Sequence, residues 1–198
     1  LYFQIWKLLS SYMFIIKNNY YFYIENTMSV DLDCLKKNKK ITIIYRNNRK
    51  VENHTQLNKF RMKCKIKNFK FYVANNYKLA ISCGADGLYL SSYNKKKYPC
   101  FSYPKIGSAH NFREIYEKIK QGCNTIVLSR LFKTTYKNKK DYLGIIKFNL
   151  INKNYLVDLI PLGGIRNKNL LMLNLVGSKG ISLLSEIKKK PAISRRLF

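Results

Sequence analysis

The sequence predicts a single (β/α)8 TIM barrel preceded by an extra N-terminal helix. Short runs of aromatic and β-branched residues recur eight times along the 198 residues. They are apolar throughout rather than alternating, as parallel strands covered on both faces must be. A helical pattern follows most of them, and strand–helix alternation of this length closes into a barrel or, as the alternative, winds into an open doubly wound sheet. No internal repeat and no Pro-, Gly- or Ser-rich linker divides the chain. Its length suits one domain with a sizeable core. The expected boundaries are a helical extension over 1–19 and the barrel over 20–198.

Residues 5–16 are apolar, interrupted by Lys7 and two serines, and too short to span a bilayer. They read as an amphipathic helix covering one end of the fold. Leu1-Tyr2-Phe3-Gln4 matches the end of a common protease-cleavable tag and is set apart from the fold. The first strand is expected at 20–24, followed by a short segment around 28–37. The second is expected at 41–45, with a longer helix over 52–66. The third, 71–74, leads into a small helix with Leu79, Ala80 and Cys83 on one face. Gly84-Ala85-Asp86-Gly87 turns the chain into the fourth strand, 88–90. A mostly loop-like stretch containing Lys95-Lys96-Lys97 precedes a fifth strand ending near Ile106. Asn111, with Glu114 three residues later, is the capping signature of a helix over 111–120. The last three strands are expected at 125–128, 156–161 and 180–184, with a further segment over 169–175 between the last two.

The formal net charge is +28. Such a charge suits polyanions in general, but here the excess is chiefly Lys and travels with abundant Asn, Ile, Tyr and Phe. It reads as a solvated basic surface rather than a nucleic-acid footprint. Five scattered cysteines without a Cys-x-x-Cys pair indicate reduced thiols and a cytoplasmic protein. Two histidines, His54 and His110, leave little room for a His-based zinc site.

In a barrel of this kind chemistry sits at the C-terminal strand ends. Those positions offer Asn26, Arg46, Asn75, Asn76, Ser91, Ser92, Asn94, Ser108 and His110. They continue with Ser129, Arg130, Thr134, Lys137, Gly163, Gly164 and Ser185. Gly163 and Gly164 follow the seventh strand, with Asn167 placed to cap what comes next. Glycines there let main-chain N–H groups approach an anion. Together with Ser185 after the eighth strand they form a candidate phosphate site. Arg46, Arg130 and Lys137 suit phosphate oxygens. His110 is either a general acid–base group or part of the helix cap.

Over about residues 20–191 the chain resembles the thiamine-phosphate synthase and thiazole tautomerase (TenI) superfamily. Ala74-Asn75-Asn76 followed by Gly84-Ala85-Asp86-Gly87-Leu88-Tyr89-Leu90 matches its Asn-Asp pair and Gly-Ala-Asp-Gly-Val-His-Leu run. Ile106-Gly107-Ser108-Ala109-His110 is similar to its Gly-Val-Ser-x-His. Leu131-Phe132-Lys133-Thr134 with Lys137 is similar to its Ile-Phe-Pro-Thr-x-x-Lys. Leu162-Gly163-Gly164-Ile165 and Gly180-Ile181-Ser182-Leu183-Leu184-Ser185 resemble its last two strand ends.

The resemblance implies an enzyme of thiamine biosynthesis, a transferase joining hydroxymethylpyrimidine pyrophosphate to thiazole phosphate with Mg²⁺. Arg46, Asn75, Ser108 and Lys137 would then hold the pyrophosphate, with Asn76 and Arg130 beside them. Thr134, Gly163, Gly164, Leu184 and Ser185 would hold the thiazole phosphate. A homodimer is compatible with it. The chain departs from the family where metal is concerned. The two magnesium-binding aspartates fall at Asn76 and Asn94, the second-strand Lys at Asn48, and Ile44 stands where Gln is usual. Neutral amides are poor ligands for Mg²⁺, so metal binding is expected to be weakened. Arg130 replaces the histidine expected of a tautomerase. A metal-independent isomerase or precursor-binding barrel, and a basic polyanion-binding protein, are the alternatives.

Overall fold

The computed structural model describes residues 17–35, 37, 39–47, 52–98, 102–134 and 141–183. Eight parallel strands close into a barrel in sequence order, which excludes the open sheet. The strands are β1 (Asn19–Ile24), β2 (Ile41–Tyr45), β3 (Lys70–Ala74), β4 (Gly87–Leu90), β5 (Lys105–Ala109), β6 (Thr125–Ser129), β7 (Asp158–Leu162) and β8 (Gly180–Leu183). Closure is direct: Asn19 to Phe22 of β1 pair with Gly180 to Leu183 of β8. The described helices are α1 (His54–Ile66), α2 (Tyr77–Ser82), α3 (Phe112–Lys120) and α4 (Gly144–Lys153). Among the described residues no helix is long and apolar enough to cross a membrane.

Period-two alternation sorts the strand side chains into two cores. On β1, Tyr20, Phe22 and Ile24 face outward to the helices, where Leu57, Phe60 and Cys64 of α1 join them. Tyr21 and Tyr23 face inward and meet Ile44, Tyr72, Tyr89, Ile106, Val127 and Ile160 inside the barrel. Both faces are apolar, which is why the strands read as unbroken hydrophobic runs.

The Gly84-Ala85-Asp86-Gly87 turn is structural. The Asp86 carboxylate accepts from the Phe71 main-chain N–H at 2.7 Å and from Arg61 of α1 at 2.8 Å, locking β3, β4 and α1 together. A Cβ on Gly87 would lie 2.2 Å from the Tyr72 ring, so only glycine lets that inward tyrosine pass.

Several expectations are corrected. β5 runs on to Ala109, so Ser108 lies within the strand. Lys105-Ile106-Gly107-Ser108-Ala109 hides it, because glycine and serine are weak strand formers. The seventh strand starts at Asp158, two residues later than expected. α4 is absent from the sequence reading. It starts at Gly144 (φ +70°) behind Leu143, with no side-chain cap, and its Gly-Ile-Ile-Lys-Phe run lacks a polar face. After β7 come only two 3-10 turns, Asn167–Asn169 and Leu171–Leu175. The segment after β1 is likewise two 3-10 turns, Thr27–Ser29 and Leu32–Cys34. The helix expected within 1–19, and the site candidates Asn48, Lys137, Leu184 and Ser185, lie outside the described residues apart from positions 17–19, which lead into and begin β1.

Candidate functional site

The C-terminal ends of the strands form a mouth with a phenolic floor. The Tyr23 hydroxyl of β1 donates to the Tyr89 hydroxyl of β4 at 3.0 Å, with the rings edge to face at 5.4 Å. Tyr89 is also hydrogen-bonded to Ser108 and Tyr23 to Ser182, so β1, β4, β5 and β8 share one chain of hydroxyls. Burial raises both phenols above their ordinary range, and the nearby Arg46 charge acts in the opposite sense. Both hydroxyls therefore stay protonated at neutral pH; Tyr23 spends its one proton on Tyr89, which leaves the Tyr89 hydroxyl to donate. Tyr89 stands where the resemblance has histidine. Its flanking Leu88 and Leu90 face outward, and that alternation is the sequence signal that would have found it.

Arg46 sits one residue beyond β2, where its main-chain N–H donates to Ile24 at 2.8 Å. Its Nε is buried and has no hydrogen-bond partner among the described residues. The Oγ1 of Thr134 is in the same state. An orphaned buried polar atom costs about 1–3 kcal/mol, so each of these atoms calls for a further partner such as a water, an ion or a ligand oxygen.

At the β3 and β4 ends the three expected asparagines come together. Asn75 adopts φ +59°, a left-handed conformation that asparagine tolerates better than most residues. Its Nδ2 donates to Ser91 Oγ at 2.8 Å and to the Tyr93 hydroxyl at 3.0 Å. Its Oδ1 accepts from the Ser91 main-chain N–H and from Asn94 Nδ2, both at 3.0 Å. Asn76 Oδ1 caps α2 by accepting from Leu79 N–H at 3.0 Å. Asn94 Oδ1 accepts from Lys96 N–H at 2.9 Å. The oxygens at both family metal positions are thus held by main-chain donors.

Glu52, the described carboxylate between β2 and α1, is likewise committed, accepting from Thr27 N–H at 3.0 Å. Among the described residues no group of three His, Cys, Asp or Glu side chains could hold a metal. Mg²⁺ demands near-octahedral oxygen coordination that includes carboxylates, and the residues here do not fit it.

His110 opens α3 and is half exposed. Its ring Nδ1 meets Glu114 Oε2 at 2.9 Å, and its main-chain N–H donates to the same oxygen at 2.7 Å. Asn111 Oδ1 accepts from Glu114 N–H at 2.9 Å. These contacts place His110 in the helix cap and leave its acid–base role open.

Between β6 and β7 the mouth is walled by continued pairing beyond the strands. Leu131 N–H donates to Leu162 at 2.9 Å and Phe132 N–H to Gly163 at 3.0 Å. The Arg130 side chain packs over Gly163, whose Cβ would lie 3.1 Å from Arg130 Cγ. Gly164 (φ +72°) is pressed against the same loop, a Cβ there lying 2.4 Å from the Phe132 carbonyl oxygen. Any side chain at 164 would displace that loop. Asn169, rather than Asn167, closes the turn: its Oδ1 accepts from Arg166 N–H at 2.7 Å and its Nδ2 donates to the Gly164 carbonyl at 2.8 Å. Beside this turn lies a cleft of about 1390 Å³. Thr134, Gly164, Arg166 and Lys168 give it polar and basic groups, and Phe132, Ile146, Leu150 and Met172 an apolar wall. The sequence reading missed Arg166 and Lys168, which in so basic a chain carry no signal of their own.

Residues 14–187 match the family model described as thiamine monophosphate synthase. The chain is 32% identical over 129 residues to the thiamine-phosphate synthase of Prochlorococcus marinus (strain AS9601), a match covering 63% of this chain and 37% of that protein. It is 30% identical over 132 residues to the thiamine-phosphate synthase of a second Prochlorococcus marinus strain, again covering 63% and 37%. The match thus spans little more than a third of the length of these curated relatives. Among solved structures, the thiamine phosphate pyrophosphorylase from Pyrococcus furiosus superposes with a TM-score of 0.69 at 17% identity, covering 91% of this chain and 93% of that one. The thiamine phosphate pyrophosphorylase from Bacteroides thetaiotaomicron gives 0.62 at 14%, covering 87% and 85%.

Proposed function

This chain belongs to the thiamine monophosphate synthase family, and from that premise we propose that its barrel mouth binds hydroxymethylpyrimidine pyrophosphate and thiazole phosphate and joins them into thiamine phosphate. The observation that carries this reading is the pair of orphaned buried atoms, Arg46 Nε and Thr134 Oγ1, one near the β2 end and one beyond β6. A phosphate oxygen at each would restore the missing hydrogen bond, and Arg46 would add a charge-assisted one.

In the proposed reaction the bond between the pyrimidine methylene carbon and the pyrophosphate oxygen breaks, and pyrophosphate leaves with the bonding pair. The thiazole nitrogen then donates its lone pair to the resulting cation. Arg46 faces the charge that grows on the leaving group, where a preorganised donor contributes most. The Tyr89 hydroxyl, hydrogen-bonded by Tyr23 and Ser108, lies beneath as a donor to the ring. Thr134 and the basic cleft beside Gly164 receive the thiazole phosphate.

Titration calorimetry with each substrate, and turnover measured as thiamine phosphate formed, test this. Arg46→Gln is expected to weaken pyrimidine pyrophosphate binding by about tenfold or more, the worth of one charged hydrogen bond, and to leave thiazole phosphate binding unchanged. Equal affinity in the variant removes Arg46 from the site. The neutral amide corner favours a second reading, a barrel that binds or isomerises the precursors without joining them. Tight binding of both substrates with no product formed selects it.

A further inference from the structure

We propose that this barrel takes its pyrophosphate-bearing ligand as a metal-free anion, because the corner where the family's cation would sit is a brace of neutral amides held in place by the Lys118 side chain. The inference rests on the anion-binding reading above and deepens it. Its physical basis is that the corner offers only neutral acceptors, each already engaged by at least one donor. Asn76 Oδ1 and Asn94 Oδ1 each accept a main-chain N–H, and Asn75 Oδ1 accepts two donors. A divalent ion arriving here would meet neutral amide oxygens already polarised by donors and would receive no negative charge.

Lys118 of α3 is fully buried. Its Nζ donates to the Asn94 carbonyl at 2.6 Å and to Gln121 Oε1 at 2.9 Å. Gln121 Nε2 in turn donates to the same Asn94 carbonyl at 3.0 Å and to the Lys96 carbonyl at 2.8 Å. Lys118 and Gln121, at the end of one helix, therefore grip the main chain of the β4–β5 loop at the residue that stands at a metal position. Space for the Lys118 stem is provided by Gly107, where a Cβ would lie 2.8 Å from Lys118 Cγ. The arrangement ties the Asn94 main chain to α3 and brings no negative charge to the corner, so nothing there favours a cation over an anion. Lys118 is a positioning residue that fixes the corner.

Inorganic pyrophosphate is the probe, titrated into the full chain by calorimetry in EDTA and again in excess Mg²⁺. The expected result is binding in EDTA and apparent binding weakened by about tenfold or more in excess Mg²⁺, because the ion complexes pyrophosphate and depletes the metal-free anion. Apparent binding that is unchanged or tighter in Mg²⁺ overturns the metal-free inference and leaves the anion site standing. Absence of binding in both buffers overturns the anion site itself. A second measurement uses Mn²⁺ as a spectroscopic probe, with free ion counted by electron paramagnetic resonance. The unmodified protein is expected to leave Mn²⁺ free, and Asn76→Asp with Asn94→Asp to bind it. Mn²⁺ bound as tightly by the unmodified protein as by the aspartate pair overturns the proposal.

Discussion

At the scale of single residues, identity and commitment are different things. Asn75, Asn76 and Asn94 were legible as polar groups at strand ends, yet nothing in their letters says that every one of their amide oxygens is spent on Leu79, Lys96, Ser91 and Asn94 donors. His110 shows the same limit, since only its geometry reveals that Glu114 takes both its ring and its main-chain N–H. Asn111 and Glu114 were fully legible, because a cap is a local pattern. Partial burial pushes the Glu114 carboxyl up, but the hydrogen bonds and charge from His110, with Asn111, outweigh it and hold the group below its usual value. A depressed folded value means stability that is present above the unfolded carboxylate range and lost as pH falls through the folded one. Glu114→Gln is therefore expected to cost about 1 kcal/mol near neutral pH, the size of a helix cap. The gap from the parent protein should narrow below pH of about 4, as read from urea midpoints across pH. A constant gap would assign the loss to packing instead.

At the scale of elements, what a helix announces depends on its ends and its face. α3 carries Asn111 and an apolar stripe through Ile115, and was found; α4 has neither a cap nor a polar face, and was not. Lys118 lies on the buried face of α3, three residues after Ile115, and a lysine at a core position is the signal that would have identified it. Its stem and Gly107 of β5 form one fitted pair across the helix–strand interface. Gly107→Ala is expected to cost about 1–3 kcal/mol by overpacking. Lys118→Ala should cost about 1–3 kcal/mol by stranding the Gln121 Oε1 acceptor and leaving the Asn94 carbonyl with one donor instead of two. The double variant is expected to lose less than the two single costs combined, because the small residue at 118 makes room for the methyl at 107. Strict additivity in thermal melts would show that the two positions do not share this space.

For the molecule as a whole, strand count, order and closure were legible because eight buried parallel strands leave so regular an apolar trace. What fills the barrel was not, since a run such as Asn-Tyr-Tyr-Phe-Tyr-Ile does not say which tyrosines turn inward until the pairing register is known. Tyr21, Tyr23, Tyr72 and Tyr89 fill much of that interior, where barrels more commonly hold aliphatic side chains. This packing has an optical consequence: the barrel carries its own gauge of integrity. Burial pushes Tyr21 and Tyr72 up to about 12 and moves Tyr23 and Tyr89 in the same direction. A phenol raised in the folded state stabilises it fully below the unfolded value near 10 and loses that contribution as pH climbs toward the folded one. Phenolate absorbance followed through an alkaline titration is thus expected to rise in two waves. The interior four should ionise only in the second, a steep step that coincides with loss of far-ultraviolet dichroism. A single shallow wave with the dichroism intact would mean that water reaches the middle of the barrel.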